Sequence, residues 1–230
     1  MTQAIVLAGG LGTRLISVVP DLPKPMAPVA GRPFLARVLD RLIDAGFERA
    51  ILAVGYRHEA IRDYFGSDYR GMALHYSVEN TPLGTGGAIR LAANHVTALP
   101  AFVLNGDTYL ELDYPAMLAA HRQSRASLSV AVCRVSDVSR YGALELEQDH
   151  IRGFLEKGGT GSGYINAGVY LLASEILQQI PANEPFSFEQ QLLVPQVREL
   201  QPLAFLTAGR FIDIGIPEDF ERAQQLFANA

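Results

Sequence analysis

The sequence predicts an α/β fold: a mixed, mostly parallel sheet flanked by helices, with a smaller β-rich lobe in its second half. Three observations carry that prediction. Apolar runs at residues 4–8, 50–54 and 101–105 show no polar alternation, as expected of strands buried on both faces. Between the first two, Leu35, Val38, Leu39, Leu42 and Ile43 recur at helical spacing. Glycines end several of the apolar runs, where an open α/β sheet leaves room beyond its strands.

The elements follow in order. The first strand, 4–8, runs into Gly9-Gly10-Leu11-Gly12. Residues 34–45 read as a helix closed by Gly46, a residue suited to the left-handed position past a helix end. A buried strand over 50–54 ends at Gly55-Tyr56, and a short helix over 58–65 turns Ile61, Phe65 and the stem of Tyr64 inward. A strand over 74–78 leads into a second glycine-rich loop, and 86–93 is helical. The run 101–105 is stopped by Gly106-Asp107. Beyond it the character changes. Residues 127–134, 143–147, 151–156 and 164–172 are strands with short connections, the spacing of mixed or antiparallel pairing. A last strand-like run, 211–215, precedes a helix that begins at Pro217, a favourable first helical residue. No linker-like or low-complexity tract divides the chain, so one domain over 1–230 is expected, with halves of about 1–110 and 111–230.

Composition narrows the function. With 49% apolar and 19% charged residues, the chain is a packed globule rather than a disordered one. A net charge of -5 without a basic stripe excludes a general nucleic-acid binder, although local positive charge can still hold phosphates. No run approaches the length of apolar chain that spans a membrane, and no basic leader precedes the first strand. With a single cysteine, a cytoplasmic protein is expected. Cys133 lies in a strand-like run and reads as a buried structural thiol. The five histidines show no metal-ligand spacing, so zinc is not expected.

The segment Gly9-Gly10-Leu11-Gly12-Thr13-Arg14-Leu15, followed by Pro23-Lys24-Pro25-Met26, is the most informative. Three glycines in four positions let backbone N–H groups approach a ligand closely. Arg14 can fork onto phosphate oxygens and Lys24 adds a point charge, which together suit a polyphosphate. A P-loop is excluded because no Lys-Ser or Lys-Thr follows the glycines. A dinucleotide fingerprint is excluded because Pro20, Pro23 and Pro25 forbid a regular helix there.

Asp107 lies just past a buried strand and Asp213 ends another strand-like run. Two such carboxylates can share one Mg²⁺, although each alone also reads as a turn aspartate. In the second glycine cluster, Asn80, Gly84, Thr85 and Gly86 let backbone approach the edge of a base; Thr85 also reads as a helix cap. Glu156-Lys157 at a strand end reads either as a ligand-binding pair or as a solvated turn.

These motifs, with Gly31-Arg32-Pro33-Phe34 and Tyr164-Ile165-Asn166-Ala167-Gly168, resemble those of the sugar-1-phosphate nucleotidyltransferases, in order and over nearly the whole chain. The resemblance implies a Rossmann-like nucleotidyltransferase fold with a sugar-binding lobe. It implies transfer of a nucleoside monophosphate from a nucleoside triphosphate to a sugar 1-phosphate, with release of pyrophosphate. It assigns Leu7, Ala8, Gly9, Gly10, Gly12 and Thr13 to the nucleotide, Arg14 to the leaving pyrophosphate and Lys24 to the reacting phosphates. Asn80, Gly84, Thr85 and Gly86 then face the nucleobase, and Asp107 and Asp213 hold Mg²⁺. Tyr141, Gly142, Glu156, Lys157 and Asn166 contact the sugar phosphate; a satisfied buried amide is the other reading of Asn166.

Many members carry Arg-Pro-Leu-Thr after the opening motif, whereas this chain has Leu15-Ile16-Ser17-Val18-Val19-Pro20. That departure resembles a narrower branch, the D-glycero-α-D-manno-heptose 1-phosphate guanylyltransferases of bacterial surface-polysaccharide pathways. The branch implies GTP and a manno-heptose 1-phosphate. A uridylyltransferase, a hexose-1-phosphate guanylyltransferase and a non-catalytic sugar-nucleotide sensor remain open alternatives. Relatives form dimers and tetramers, so a homo-oligomer is open too. Ile216 stands where many relatives have a capping threonine, which should cost modest stability.

Overall fold

The computed structural model describes residues 3–10, 22–155 and 158–228. Fourteen strands and seven α-helices are described in chain order. The first half holds β1 (Gln3–Leu7), the short hairpin β2 (Pro28–Val29) and β3 (Arg32–Pro33), α1 (Phe34–Asp44), β4 (Arg49–Val54) and α2 (His58–Phe65). It continues through β5 (Asp68–Tyr69), β6 (Met72–Val78), α3 (Gly84–Ala92), β7 (Ala101–Asn105) and β8 (Thr108–Leu110). The second half holds α4 (Tyr114–Ser124), β9 (Leu128–Val135), β10 (Leu144–Glu147), β11 (His150–Phe154), β12 (Gly163–Leu172) and α5 (Ser174–Gln178). A π-helical segment at Phe188–Leu193 precedes α6 (Val197–Leu200), β13 (Leu203–Thr207), β14 (Phe211–Asp213) and α7 (Pro217–Phe227).

Ten strands form one mixed sheet in the order β10-β11-β13-β9-β12-β7-β1-β4-β6-β5. Its centre, β7-β1-β4-β6, is parallel, which brings the C-terminal ends of four strands to one edge. The apolar runs are buried on both faces for a visible reason. Ala4, Val6, Leu52 and Phe102 pack with α1, α4 and α7, while Ile5, Ile51 and Val103 pack with α3, α5 and the π-helical segment.

The strands of the second half extend this same sheet rather than building a separate one. β12 runs antiparallel between β7 and β9, and it carries a bulge between Asn166 and Tyr170. What is separate is a two-stranded ribbon, β8 with β14, whose register sets Asp213 opposite Thr108. Helix α4 has no counterpart in the sequence reading. Its apolar stripe is short, with Tyr114, Met117 and His121 buried, and Asp113 caps it through Ala116 N–H at 2.9 Å. Tyr64 corrects an expectation: its side chain is exposed, with its ring edge-on to the buried Phe65. Among the described residues, no helix is long and apolar enough to cross a membrane.

Candidate active site

A cleft of about 900 Å³ opens beyond the C-terminal ends of the parallel strands. Leu7, Gly9 and Gly10 line it at and beyond the end of β1, Asn80 lines it after β6, Gly84 and Thr85 line it at the start of α3, and Lys24 and Asp107 line it too. Ala8 lies beneath this surface, buried, with its N–H donated to Ala53 O at 2.8 Å. Gly12, Thr13, Arg14, Glu156 and Lys157 lie outside the described residues.

Lys24 opens a 3₁₀ turn between two prolines, which fixes its direction, and its side chain is only 10% exposed. Its Nζ pairs directly with Asp107 Oδ2 and lies 3.8 Å from Asp213 Oδ1. The fold explains why two acids 106 residues apart in sequence meet at one lysine. Asp107 precedes β8, Asp213 ends the antiparallel partner β14, and Ile214 N–H donates to Asp107 O at 3.1 Å. Gly106 lets β7 pass close to β1, because a Cβ there would stand 2.7 Å from Leu7 O. Burial raises the Asp213 pKa, and the Asp107 carboxylate raises it further, against the opposing pull of Lys24 and of Gly215 N–H. Two hard oxygen donors with excess negative charge fit a divalent cation, which takes one or two protein carboxylates and completes its shell with phosphate and water. No group of three or more His, Cys, Asp or Glu suited to a metal occurs among the described residues.

The second glycine cluster has a packing reason as well as a site. Gly84 has φ +69°, and a Cβ on Gly84 or Gly86 would strike Phe186 at 2.8 and 2.6 Å. Gly86 is buried behind the cleft, and its N–H donates to Phe186 O at 2.7 Å. Thr85 Oγ1 accepts Phe188 N–H at 3.0 Å, so the hydroxyl caps the π-helical segment rather than α3. Gly84 and Thr85 still present atoms to the cleft.

Tyr141 belongs to a second cleft, of about 810 Å³, beside β9 and β13. Its ring meets Phe211 edge-on at 5.5 Å, and Arg140 lies over it at 5.1 Å. Arg140 also pairs with the buried Asp219, which a second arginine, Arg222, holds at 2.7 Å. Gly142 adopts φ +80° in the turn that follows. Asn166 is satisfied internally: Nδ2 donates to Tyr170 OH at 2.8 Å and Oδ1 accepts Gly168 N–H at 3.0 Å. Cys133 is buried and its thiol pKa is pushed up to about 12, which leaves it inert.

The sequence reading passed over Glu79 and Asn105, which both line the main cleft at strand ends. The signal that singled out Asp107, an acid just past a buried strand, applies equally to Glu79 after β6. It is masked in sequence by the glycines that follow. Burial raises the Glu79 pKa, while the Leu83 N–H donated to Oε2 at 3.0 Å lowers it.

Comparison with known proteins agrees with this geometry. The nucleotidyl transferase family model matches residues 3–230. The D-glycero-alpha-D-manno-heptose 1-phosphate guanylyltransferase of Aneurinibacillus thermoaerophilus is 41% identical over 223 residues, covering 97% of each chain. The Campylobacter jejuni enzyme of the same name is 41% identical over 219 residues, covering 95% of this chain and 96% of its own. The crystal structure of HddC from Yersinia pseudotuberculosis complexed with GMP-PN superposes with a TM-score of 0.88 at 41% identity, covering 99% of this chain and 100% of that one. A glycine-lined cleft at the strand ends, a lysine between two aspartates and full-length matches of this kind lead to one conclusion: the chain belongs to the nucleotidyl transferase family, as a sugar-1-phosphate nucleotidyltransferase.

Proposed function

We propose that the protein transfers GMP from GTP to a D-glycero-α-D-manno-heptose 1-phosphate and releases pyrophosphate. The observation that carries this reading is Lys24 held against both Asp107 and Asp213 on the edge of the main cleft. Two relatives at 41% identity, each named as a heptose 1-phosphate guanylyltransferase, support the choice of base and sugar.

The sugar phosphate oxygen attacks the α-phosphorus in line while pyrophosphate leaves on the opposite side. The attacking oxygen is already anionic, so no general base is needed. Catalysis then consists of positioning and of neutralising developing charge. Backbone N–H groups around Gly9 and Gly10 cradle the triphosphate, and Lys24 stabilises charge at the reacting phosphates. Arg14 acts on the leaving pyrophosphate and Lys157 on the attacking phosphate, with Glu156, Tyr141, Gly142 and Asn166 on the sugar side. Asp107 and Asp213 would hold Mg²⁺, which would supply positive charge to screen the phosphates.

The test is pyrophosphate release with Mg²⁺, manno-heptose 1-phosphate and each of the four common nucleoside triphosphates. Release with GTP alone, lost in Asp107→Asn while the thermal unfolding profile is retained, is the expected result. Release with UTP in place of GTP overturns the base; undiminished activity in Asp107→Asn overturns the metal assignment.

A further inference from the structure

One wall of the main cleft rests on an irregularity in β12. Asn166 pairs with Val132 of β9 and Tyr170 pairs with Val130, so three residues of β12 stand against Ala131 alone. Bulges of this kind re-aim side chains beside active sites. The extra chain includes Gly168 at φ +71°, a backbone state that favours glycine. Val169 pairs with Leu104 of β7, which brings Gly168 against Asn105; a Cβ on Gly168 would stand 2.6 Å from Asn105 Nδ2. Asn105 lines the main cleft, between Leu7 of β1 and the bulge.

Two side chains hold that bulge. Asn166 Oδ1 accepts Gly168 N–H at 3.0 Å, and its Nδ2 donates to Tyr170 OH at 2.8 Å. Tyr170 is 5% exposed and lies in an apolar cluster, with its ring edge-on to Phe188 at 5.2 Å. Phe188 is itself tied to the second glycine-rich loop, since its N–H donates to Thr85 Oγ1 at 3.0 Å. Such a pocket would take phenylalanine as readily. A buried hydroxyl costs stability unless it is bonded, and Asn166 is the hydrogen-bond partner of this one among the described residues. We propose that Tyr170 is a positioning residue for the sugar phosphate: through Asn166 it fixes the Gly168 bulge, and the bulge sets the Asn105 amide against a hydroxyl of the sugar. A primary amide donates and accepts, as a hydroxyl does, whereas ionised phosphate oxygens only accept. Strand β7 stands between β1, which leads into the triphosphate cradle, and β12, so Asn105 sits at the boundary between the two substrates. The inference rests on the proposed reaction and deepens it, by naming what sets the orientation of the sugar.

The experiment compares Tyr170→Phe with the native protein in two assays. One is equilibrium binding of GTP in Mg²⁺; the other is kcat/KM for D-glycero-α-D-manno-heptose 1-phosphate in pyrophosphate release at saturating GTP. The variant keeps the ring on Phe188 and loses only the hydroxyl. Its kcat/KM is expected to fall about 5- to 20-fold, as for a buried amide left without a partner, with GTP affinity within about twofold of native. The penalty should vanish in an Asn166→Ala background and in an Asn105→Ala background, because each cuts the same chain of contacts. A hydroxyl that only stabilises the fold would give penalties that add. Unchanged kcat/KM in folded Tyr170→Phe overturns the proposal, and so do additive penalties in the double variants. A loss of GTP affinity in Asn105→Ala with sugar kinetics intact overturns it too, because the amide then meets the ribose. Absence of turnover in the native protein is a different failure, since it removes the proposed reaction and this inference with it.

Discussion

At the scale of single residues, the site turns on charge held close together. Lys24 is nearly buried, and its ammonium offsets two carboxylates that would otherwise repel each other; even so, the Asp213 pKa remains raised. Lys24→Ala should lower turnover about 100- to 1000-fold, the usual cost of removing a charge-stabilising donor in a polar site. It should shift Tm by less than about 4 °C, because both aspartates keep access to water. A large Tm loss with turnover retained would place Lys24 in the architecture instead. The residue types at 24, 107 and 213 were legible in sequence. Their meeting was not, since it depends on a ribbon pairing between segments about a hundred residues apart.

At the scale of elements, capping and close packing explain more than helix propensity does. Helix α4 was invisible in sequence because its buried stripe is narrow, only Tyr114, Met117 and His121, yet it has an aspartate cap at Asp113. Asp113→Ala should cost about 1 kcal/mol, or about 2–4 °C in Tm, with activity unchanged. Helix α7 begins at Ile216 without a side-chain cap among the described residues, as the missing threonine led one to expect. Other contacts hold it. Gln224 donates to Pro28 O at 2.6 Å and accepts Ala30 N–H at 2.8 Å, which ties α7 to the hairpin just after Lys24. Asp219, in its first turn, is clamped by Arg140 and Arg222. The glycines at 84 and 86 show how an element can mislead: read as room for a base, they also make room for Phe186.

At the scale of the whole molecule, one sheet carries both halves, and helices cover both of its faces. Its edge-to-edge continuity makes global stability sensitive to charges trapped between helix and sheet. His121, buried in α4, lies 2.7 Å from Ser129 Oγ on β9, and burial first and Arg122 second lower its pKa below 6.5. The unfolded chain therefore takes up a proton near pH 6.5 that the folded protein refuses. The stability contributed by neutral His121 is present above that pH and is lost as pH falls toward the lowered folded value. Tm measured from about pH 8 to about pH 5 should fall on the acid side, and His121→Asn should flatten that fall relative to the native protein. Identical slopes would show that other groups control it.

The sequence by itself determined the class of fold, the parallel centre of the sheet and the chemistry of the cleft. Apolar runs, helical periodicity and glycines at strand ends are local properties that survive without knowledge of contacts. Tertiary structure decided what local pattern cannot encode. It joined the second-half strands to the first sheet, set Asp213 beside Asp107, put Thr85 and Gly86 to work packing Phe186 and Phe188, and set the Glu79 carboxylate against Gly9 and Gly55. Each of these depends on which distant segment arrives next to a residue, and that is fixed by burial and pairing over the whole chain.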